Sequence, residues 1–374
     1  MPSAPPLTVA FVLASYTANA PAGIERATAA LAHGLRHLGH RSLILTAAPI
    51  DTPDDTVMRV GSVGVTFPCD DDELRNAIST HGQDALLAAE LCEVYREHRV
   101  DVAVYTDGLW GLGRVAPISR ARTVLAMHVV GHDQDLEPAL ARADLVIAPS
   151  QTVLDQAHGR GYDTGGWQVV PNALLHAPAP PPDSRREALR RHGPIRILAR
   201  LGPEKNVRAL LDAGRLVGRT VEVIVGEAGF EATAGGGQAA ELDQCRYSAA
   251  HLTLGTVHGG GLDWDRVPSW LAQAAVVIVP SLRETFGLVA LEAMGVGTPV
   301  VAFDVGNLPA LVGTGNDAGG VIVPRSWGEH GLWRAAEQLL ADPVRYANLS
   351  RAAYYRSRDY LPTTVAETFV KAVR

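Results

Sequence analysis

Lysine is almost missing from this chain. Of 33 basic residues among 374, only Lys205 and Lys371 are lysines. In a sequence that favours arginine so strongly, a lysine kept at position 205 points to a place where a compact ammonium is wanted rather than a guanidinium. Cysteine is scarce as well. Cys69, Cys92 and Cys245 lie far apart with no Cys-x-x-Cys pair, a pattern of reduced, mostly buried thiols rather than a disulfide framework. No apolar run approaches the length of a membrane span. The net charge of −7 argues against a nucleic-acid partner. The residues before Leu7 carry no basic segment of the kind that opens a secretory signal. The expectation is a cytoplasmic protein with no nucleic-acid partner and no stable membrane insertion. Neither an internal repeat, beyond β/α alternation, nor a coiled coil is visible.

What is present is a long run of β/α units. The chain is 47% apolar, with mean hydropathy near zero, and its 374 residues suffice for two ordinary cores. In the first half, strands are expected at Leu7–Leu13, Ser42–Thr46, Val63–Phe67, Val100–Tyr105, Thr123–Met127, Leu145–Ala148 and Gln168–Val170. Helices are expected at Ile24–Leu38 and Asp84–His98 and after Ser150. A Pro- and Ala-rich segment from His176 to Asp183 reads as a linker. The pattern then restarts with strands Ile195–Ala199, Val221–Val225, Leu252–Leu254, Val276–Val279, from Val300, and Val321–Val323. Helices are expected over Glu204–Val217, Asp265–Ala274, about Phe286–Val296, Trp327–Ala341 and much of Val344–Arg374. Such alternation predicts an α/β protein of two Rossmann-like domains, residues 1–175 and 191–354, joined by a linker at 176–190, with a cleft outside the strand carboxyl ends. The basic stretch Asp183–His192 has no bulky apolar face and reads as a solvated linker helix rather than a membrane-binding one.

The richest chemistry lies in Pro280-Ser-Leu-Arg-Glu284-Thr-Phe-Gly-Leu-Val-Ala-Leu-Glu292-Ala-Met-Gly. A buried strand, a polar loop and a helix follow one another here, and the loop and helix start carry two carboxylates. Free N–H groups at Phe286, Gly287 and Leu288 would suit a phosphate. Eight residues of helix rise span roughly 12 Å, so one carboxylate can stand at each end of an extended ligand. Those demands fit a nucleotide-sugar. In Leu198-Ala-Arg200-Leu-Gly-Pro-Glu-Lys205 a cation at a strand end and a second five residues later can converge on one diphosphate, Arg200 by a two-pronged grip and Lys205 as a point charge. Two cations at a helix start are otherwise unwelcome.

These segments resemble the donor-site signature of the retaining GT-B glycosyltransferases of family 4 (glycosyl transferases group 1). The resemblance implies that Glu284 lies by the donor sugar hydroxyls, Thr285, Phe286, Gly287 and Leu288 by the diphosphate, and Glu292 on the ribose. It implies that Arg200 and Lys205 neutralise the leaving nucleoside diphosphate, and that Gly226, in Gly226-Glu-Ala-Gly229, lines the base. Asn19-Ala-Pro-Ala-Gly23 is similar to the family's Gly-Gly loop, with Ala22 where the first glycine is common, which leaves Gly23 for the close approach to the phosphates. It is not the Gly-x-Gly-x-x-Gly turn of dinucleotide dehydrogenases. His128, after the strand Thr123–Met127, matches a histidine near the sugar and acceptor. The last helix, about 355–374, is expected to pack back on the first domain. The resemblance covers most of the second domain and scattered points of the first.

No metal and no cofactor are expected. His128, His132 and Asp133 match no zinc pattern, and Asp70–Glu73 reads as an acid run at a helix start. The expected partners are a nucleoside-diphosphate sugar and a small polar acceptor. A nucleotide-sugar 2-epimerase and a non-catalytic nucleotide-sugar-binding protein stay open as alternatives, as do the base, the sugar and the acceptor.

Overall fold

The computed structural model describes residues 5–20, 22–50, 54–66, 69–79, 83–106, 111–176, 183–214, 218–227, 237–252 and 254–374. Contacts divide the chain into two compact units, the first 175 residues together with Pro362–Arg374, and most of His176–Leu361.

The first unit is built on strands β1 (Thr8–Leu13), β2 (Arg41–Thr46), β3 (Val57–Arg59), β4 (Val102–Tyr105), β5 (Arg122–Ala126), β6 (Leu145–Ala148) and β7 (Gln168–Val169). They pair in the order β3-β2-β1-β4-β5-β6-β7, parallel throughout. Helices α1 (Gly23–His37), α2 (Asp71–Ser79), α3 (Gln83–His98), α4 (Asp133–Leu140) and α5 (Gln151–Gly159) connect them. Alternate residues of each strand enter different cores. Ala10, Val12, Leu43 and Leu45 pack with Leu74, Leu91 and Leu136, whereas Val9, Phe11 and Ile44 pack with Leu35 and Phe369 on the opposite face. Both faces being covered, the central strands run apolar through Val9–Leu13, Leu43–Leu45, Val102–Tyr105, Val124–Ala126 and Leu145–Ala148.

The second unit opens with α6 (Ser184–Arg191) and continues through β8 (Ile195–Arg200), α7 (Val207–Ala213), β9 (Val221–Gly226), α8 (Gly237–Ala249), β10 (Gly255–His258), α9 (Val267–Ala272), β11 (Val276–Val279), α10 (Leu288–Gly295), β12 (Val300–Phe303), α11 (Leu308–Val312), β13 (Gly320–Val323), α12 (Gly328–Ala341) and α13 (Pro343–Ser357). Its sheet runs β10-β9-β8-β11-β12-β13, again parallel. The last helix, α14 (Pro362–Val373), belongs to the first unit, where it packs on α1 and sets Phe369 against Phe11 at 6.4 Å between ring centres. No helix among the described residues is long and apolar enough to cross a membrane.

Several elements depart from the sequence expectation. The third strand is Val57–Arg59, not Val63–Phe67, of which Phe67 lies outside the described residues. Val63 and Val65 alternate inward as strand residues do, but they plug the core from a loop held by Glu90, which accepts the N–H groups of Gly61 and Ser62. The strand expected at 252–254 begins at Gly255 instead, because Leu252 is buried beneath the unforeseen helix α8. The helix expected over 204–217 breaks at Asn206, whose φ of 56° is left-handed. Its end, 215–217, and residues 177–182 of the linker lie outside the described residues. Within the basic stretch, Arg190 is neither solvated nor available to a membrane. It is buried, and its guanidinium donates to Ala272 O at 3.1 Å and to the carbonyl of Gly297.

Candidate active site

In each sheet the strand order reverses once, between β1 and β4 and between β8 and β11. At such a reversal the loops leaving neighbouring carboxyl ends part in opposite directions and open a crevice. β8 ends on Arg200, in register with Gly226 at the end of β9, whose carbonyl accepts Leu201 N–H at 2.8 Å. Beyond Arg200 the chain makes one 3-10 turn, Pro203–Lys205, and bends at Asn206 into α7. Two hydrogen bonds fix that bend. Leu282 N–H, from the loop after β11, donates to Glu204 O at 2.8 Å, and Asn206 Nδ2 donates to Glu329 Oε1 at 2.8 Å.

The consequence is a meeting of charges. Lys205 Nζ lies 2.9 Å from Glu284 Oε2, a pair separated by 79 positions in the chain. Arg200 Nη2 lies 2.9 Å from Glu204 Oε1. The four side chains are between 16% and 24% exposed, and partly solvated pairs of this kind contribute only about 0–1 kcal/mol. Their cations can therefore be surrendered to a stronger anion at little cost.

The loop carrying Glu284 is braced from behind. Asn307 N–H donates to Glu284 O at 3.2 Å, and its buried side-chain amide donates to Phe286 O at 3.0 Å. Gly306, at φ +54°, brings its backbone so close that a Cβ would stand 1.8 Å from Glu284 O. Neither Gly306 nor Asn307 is marked by the charge and motif patterns that single out Glu284. A Gly-Asn pair just past a strand end is the one available signal, and it reads as an ordinary turn.

Helix α10 starts at Leu288, two residues later than its pattern suggests. Gly287 caps it at φ +103°, outside the helical basin, and its carbonyl accepts the first helical N–H, from Leu291, at 3.0 Å. The amides left free for an anion are thus those of Leu288, Val289 and Ala290 rather than of Phe286. Phe286 itself is buried, edge-on to Tyr360 with ring centres 5.8 Å apart, while Thr285 and Leu288 are half-buried. Glu292 is the one charged residue of Leu288–Gly295 and is also buried.

Gly23 and His128 belong to the first unit. Gly23 is the exposed first residue of α1, whose entry is tied down by Ser15 Oγ donating to the buried Glu25 at 3.0 Å. His128 follows β5 and lines a small cavity with Thr28, Thr106 and Asn172. Burial pushes its imidazole down to about 4 from the ordinary 6.5, so the ring is neutral at physiological pH. Between those two values the unfolded chain binds the proton that the folded one refuses. The stabilisation is complete above about pH 6.5 and is lost as pH falls toward 4. We expect His128→Gln to flatten the fall of Tm over that window by calorimetry. A fall as steep as the wild type's would assign the acid sensitivity to other groups.

The segment after His128 is clamped rather than loose. Arg160 donates to Val130 O at 3.1 Å and Gly131 O at 2.5 Å and pairs with Asp133, which also accepts Tyr162 OH at 2.7 Å. Asp135, buried in α4, takes Arg75 Nε at 2.8 Å. His132 and Asp133 thus stand at the start of a helix, and Asp133 is engaged in holding it. Asp71–Glu73 likewise open α2. Among the described residues no three His, Cys, Asp or Glu side chains are grouped to hold a metal ion.

Comparison with known proteins matches residues 188–356 to the model for glycosyl transferases group 1 and residues 21–174 to that for glycosyltransferase family 4. Among curated relatives, a D-inositol 3-phosphate glycosyltransferase of Xylanimonas cellulosilytica is 31% identical over 254 residues, 62% of this chain and 56% of that protein. One of the same name from Streptomyces bingchenggensis is 37% identical over 114 residues, 29% of this chain and 24% of that protein. The matches thus span between about a quarter and just over half of those relatives' length. Among solved structures, sucrose-phosphate synthase of Thermosynechococcus elongatus superposes with a TM-score of 0.75 at 20% identity over 98% of both chains. Anabaena HepE in complex with UDP and glucose does so at 0.73 and 21%, also over 98% of each. The two parallel-sheet units, the paired family models and these neighbours place the chain in the GT-B glycosyltransferases of family 4.

Proposed function

We propose that the protein is a retaining, metal-independent glycosyltransferase that moves a sugar from a nucleoside diphosphate to a small polar acceptor in the cytoplasm. The single observation that carries this reading is the meeting of Lys205 and Glu284 at 2.9 Å beside the β8/β11 reversal. It brings together an ammonium suited to a phosphate and a carboxylate suited to sugar hydroxyls, the carboxylate on the loop that leads into α10. In this reading the second unit is the donor domain and the first the acceptor domain. Arg200, Lys205 and the amides of Leu288–Ala290 take up the charge that develops on the departing diphosphate, a contribution of roughly 3–4 kcal/mol per well-placed donor. Glu292 receives the ribose hydroxyls, and Gly226 lies by the base. Glu284 orients the sugar instead of attacking it, and the departing phosphate oxygen takes the acceptor proton on the same face. A neutral His128 suits contact with a sugar hydroxyl, since it can accept as well as donate. The relatives named D-inositol 3-phosphate glycosyltransferases support a polyol-like acceptor.

The test begins with thermal-shift screening against UDP-, GDP-, ADP- and dTDP-sugars. The stabilising donor is then incubated with candidate polyols, and the product anomer is read by NMR. Retention is expected. Inversion would contradict the mechanism, and epimer formed from donor alone would favour a 2-epimerase.

A further inference from the structure

Both cations of the candidate diphosphate site already hold a carboxylate. For Glu284 the reading above supplies another task, on the sugar. For Glu204 it supplies none. Glu204 stands in the turn between the two cations, and its side chain folds back over Gly202, where a Cβ would meet Glu204 Oε2 at 2.6 Å and Oε1 at 2.8 Å. That fold brings Oε1 to Arg200 Nη2 at 2.9 Å. Its backbone is equally committed, the carbonyl accepting Leu282 N–H at 2.8 Å, so the turn cannot swing the carboxylate away without breaking the link to the β11 loop.

Resting on the diphosphate reading, we propose that Glu204 is a built-in competitor for Arg200 that weakens the hold on the nucleoside diphosphate and so speeds its release after sugar transfer. The charges decide the direction. Arg200, Glu204, Lys205 and Glu284 sum to zero, so a diphosphate entering the site meets an electroneutral cluster rather than a doubly positive one. Binding it requires Arg200 to exchange Glu204 for phosphate while Glu204 stays close by as a like charge. Such repulsion, in a partly solvated site, subtracts from affinity without abolishing it. Tight product binding slows turnover when release is the slow step, and a carboxylate poised to reclaim the guanidinium counters it. A merely structural Glu204, one that holds Arg200 in place for the phosphate, would act in the opposite direction, because its loss would weaken binding.

The experiment is calorimetric titration of UDP, GDP, ADP and dTDP into the wild-type protein and Glu204→Gln, at low and at 0.5 M salt (about a 4 Å Debye length at the latter). Glutamine keeps the shape and removes the charge. Glu204→Ala serves as the second variant, and Tm monitors folding in both. The expected result is a Kd for the preferred nucleotide lowered about 5- to 10-fold in each variant, with the difference shrinking at high salt. Product inhibition strengthens in parallel, and kcat falls while KM for the donor also falls. An unchanged or raised Kd in both variants, with the wild type binding normally, would overturn this role for Glu204 and leave the donor site standing. Failure of the wild type to bind any of the four nucleotides would overturn the donor-site reading and this inference with it.

Discussion

Replacing Lys205 with alanine is expected to lower kcat/KM by about 10²- to 10³-fold, the range found when one preorganised donor to a developing negative charge is removed. The ammonium is fixed opposite Glu284 by a 3-10 turn and a left-handed asparagine, so it meets the developing charge with little reorganisation. Arginine should rescue poorly. Its planar fork is longer than the ammonium and would have to displace the carboxylate of Glu284 2.9 Å away. Steady-state kinetics with the matched donor measures this. The fold should survive, because the pair is partly exposed and contributes little stability. Glu292→Gln should instead raise the KM for donor with a smaller effect on kcat, since ribose contacts are made equally in ground and transition states. Wild-type turnover in Lys205→Ala would remove the ammonium from the chemistry.

Gly306→Ala is expected to be as damaging by a different route. The residue makes no side-chain contact with any ligand, yet its methyl would fall 1.8 Å from Glu284 O at a φ of +54°. A left-handed alanine costs about 1–2 kcal/mol, and relieving an overlap in a packed region adds about 1–3 kcal/mol. For a chain of 374 residues that corresponds to a fall in Tm of roughly 3–6 °C. Relief requires the Gly306 and Glu284 backbones to part, which strains the bond from Asn307 N–H to the same carbonyl and loosens the brace behind the carboxylate aimed at Lys205. Calorimetry should register the loss of stability and nucleotide titration the loss of affinity. Gly64→Ala, where a methyl meets nothing within 4 Å, is the control. An unchanged Tm in Gly306→Ala would mean that the two loops are not in the contact described.

The contrast between these positions explains what can be read from sequence and what cannot. The strand Val276–Val279 announces itself as a continuous apolar run, because a parallel strand covered on both faces has no solvated side. Glu284, Glu292, Arg200 and Lys205 are conspicuous because charge beside a buried strand or on an apolar helix needs a reason. The same logic misleads where two physical causes leave one pattern. Val63 and Val65 alternate as in a strand but serve a loop that plugs the core. Arg190 looks like one more cation of a solvated basic segment, but it satisfies the carbonyls of Ala272 and Gly297 from a buried position. The start of α10 is displaced by two residues because a glycine inside an apolar helical pattern does not reveal the sign of its φ. Contacts such as Gly306 against Glu284, or Glu329 on Asn206, join separate segments of the chain, and neither Gly306 nor Glu329 is unusual in its own neighbourhood.

A structure of the protein crystallised with UDP or the nucleotide it prefers addresses the proposed site at the level of atoms. The diphosphate should lie within hydrogen-bonding distance of Lys205 Nζ, the Arg200 guanidinium and the amides at the start of α10, with the ribose hydroxyls on Glu292 and the Lys205–Glu284 pair opened. A nucleotide bound elsewhere, with Lys205 still on Glu284 and Arg200 still on Glu204, would contradict the assignment.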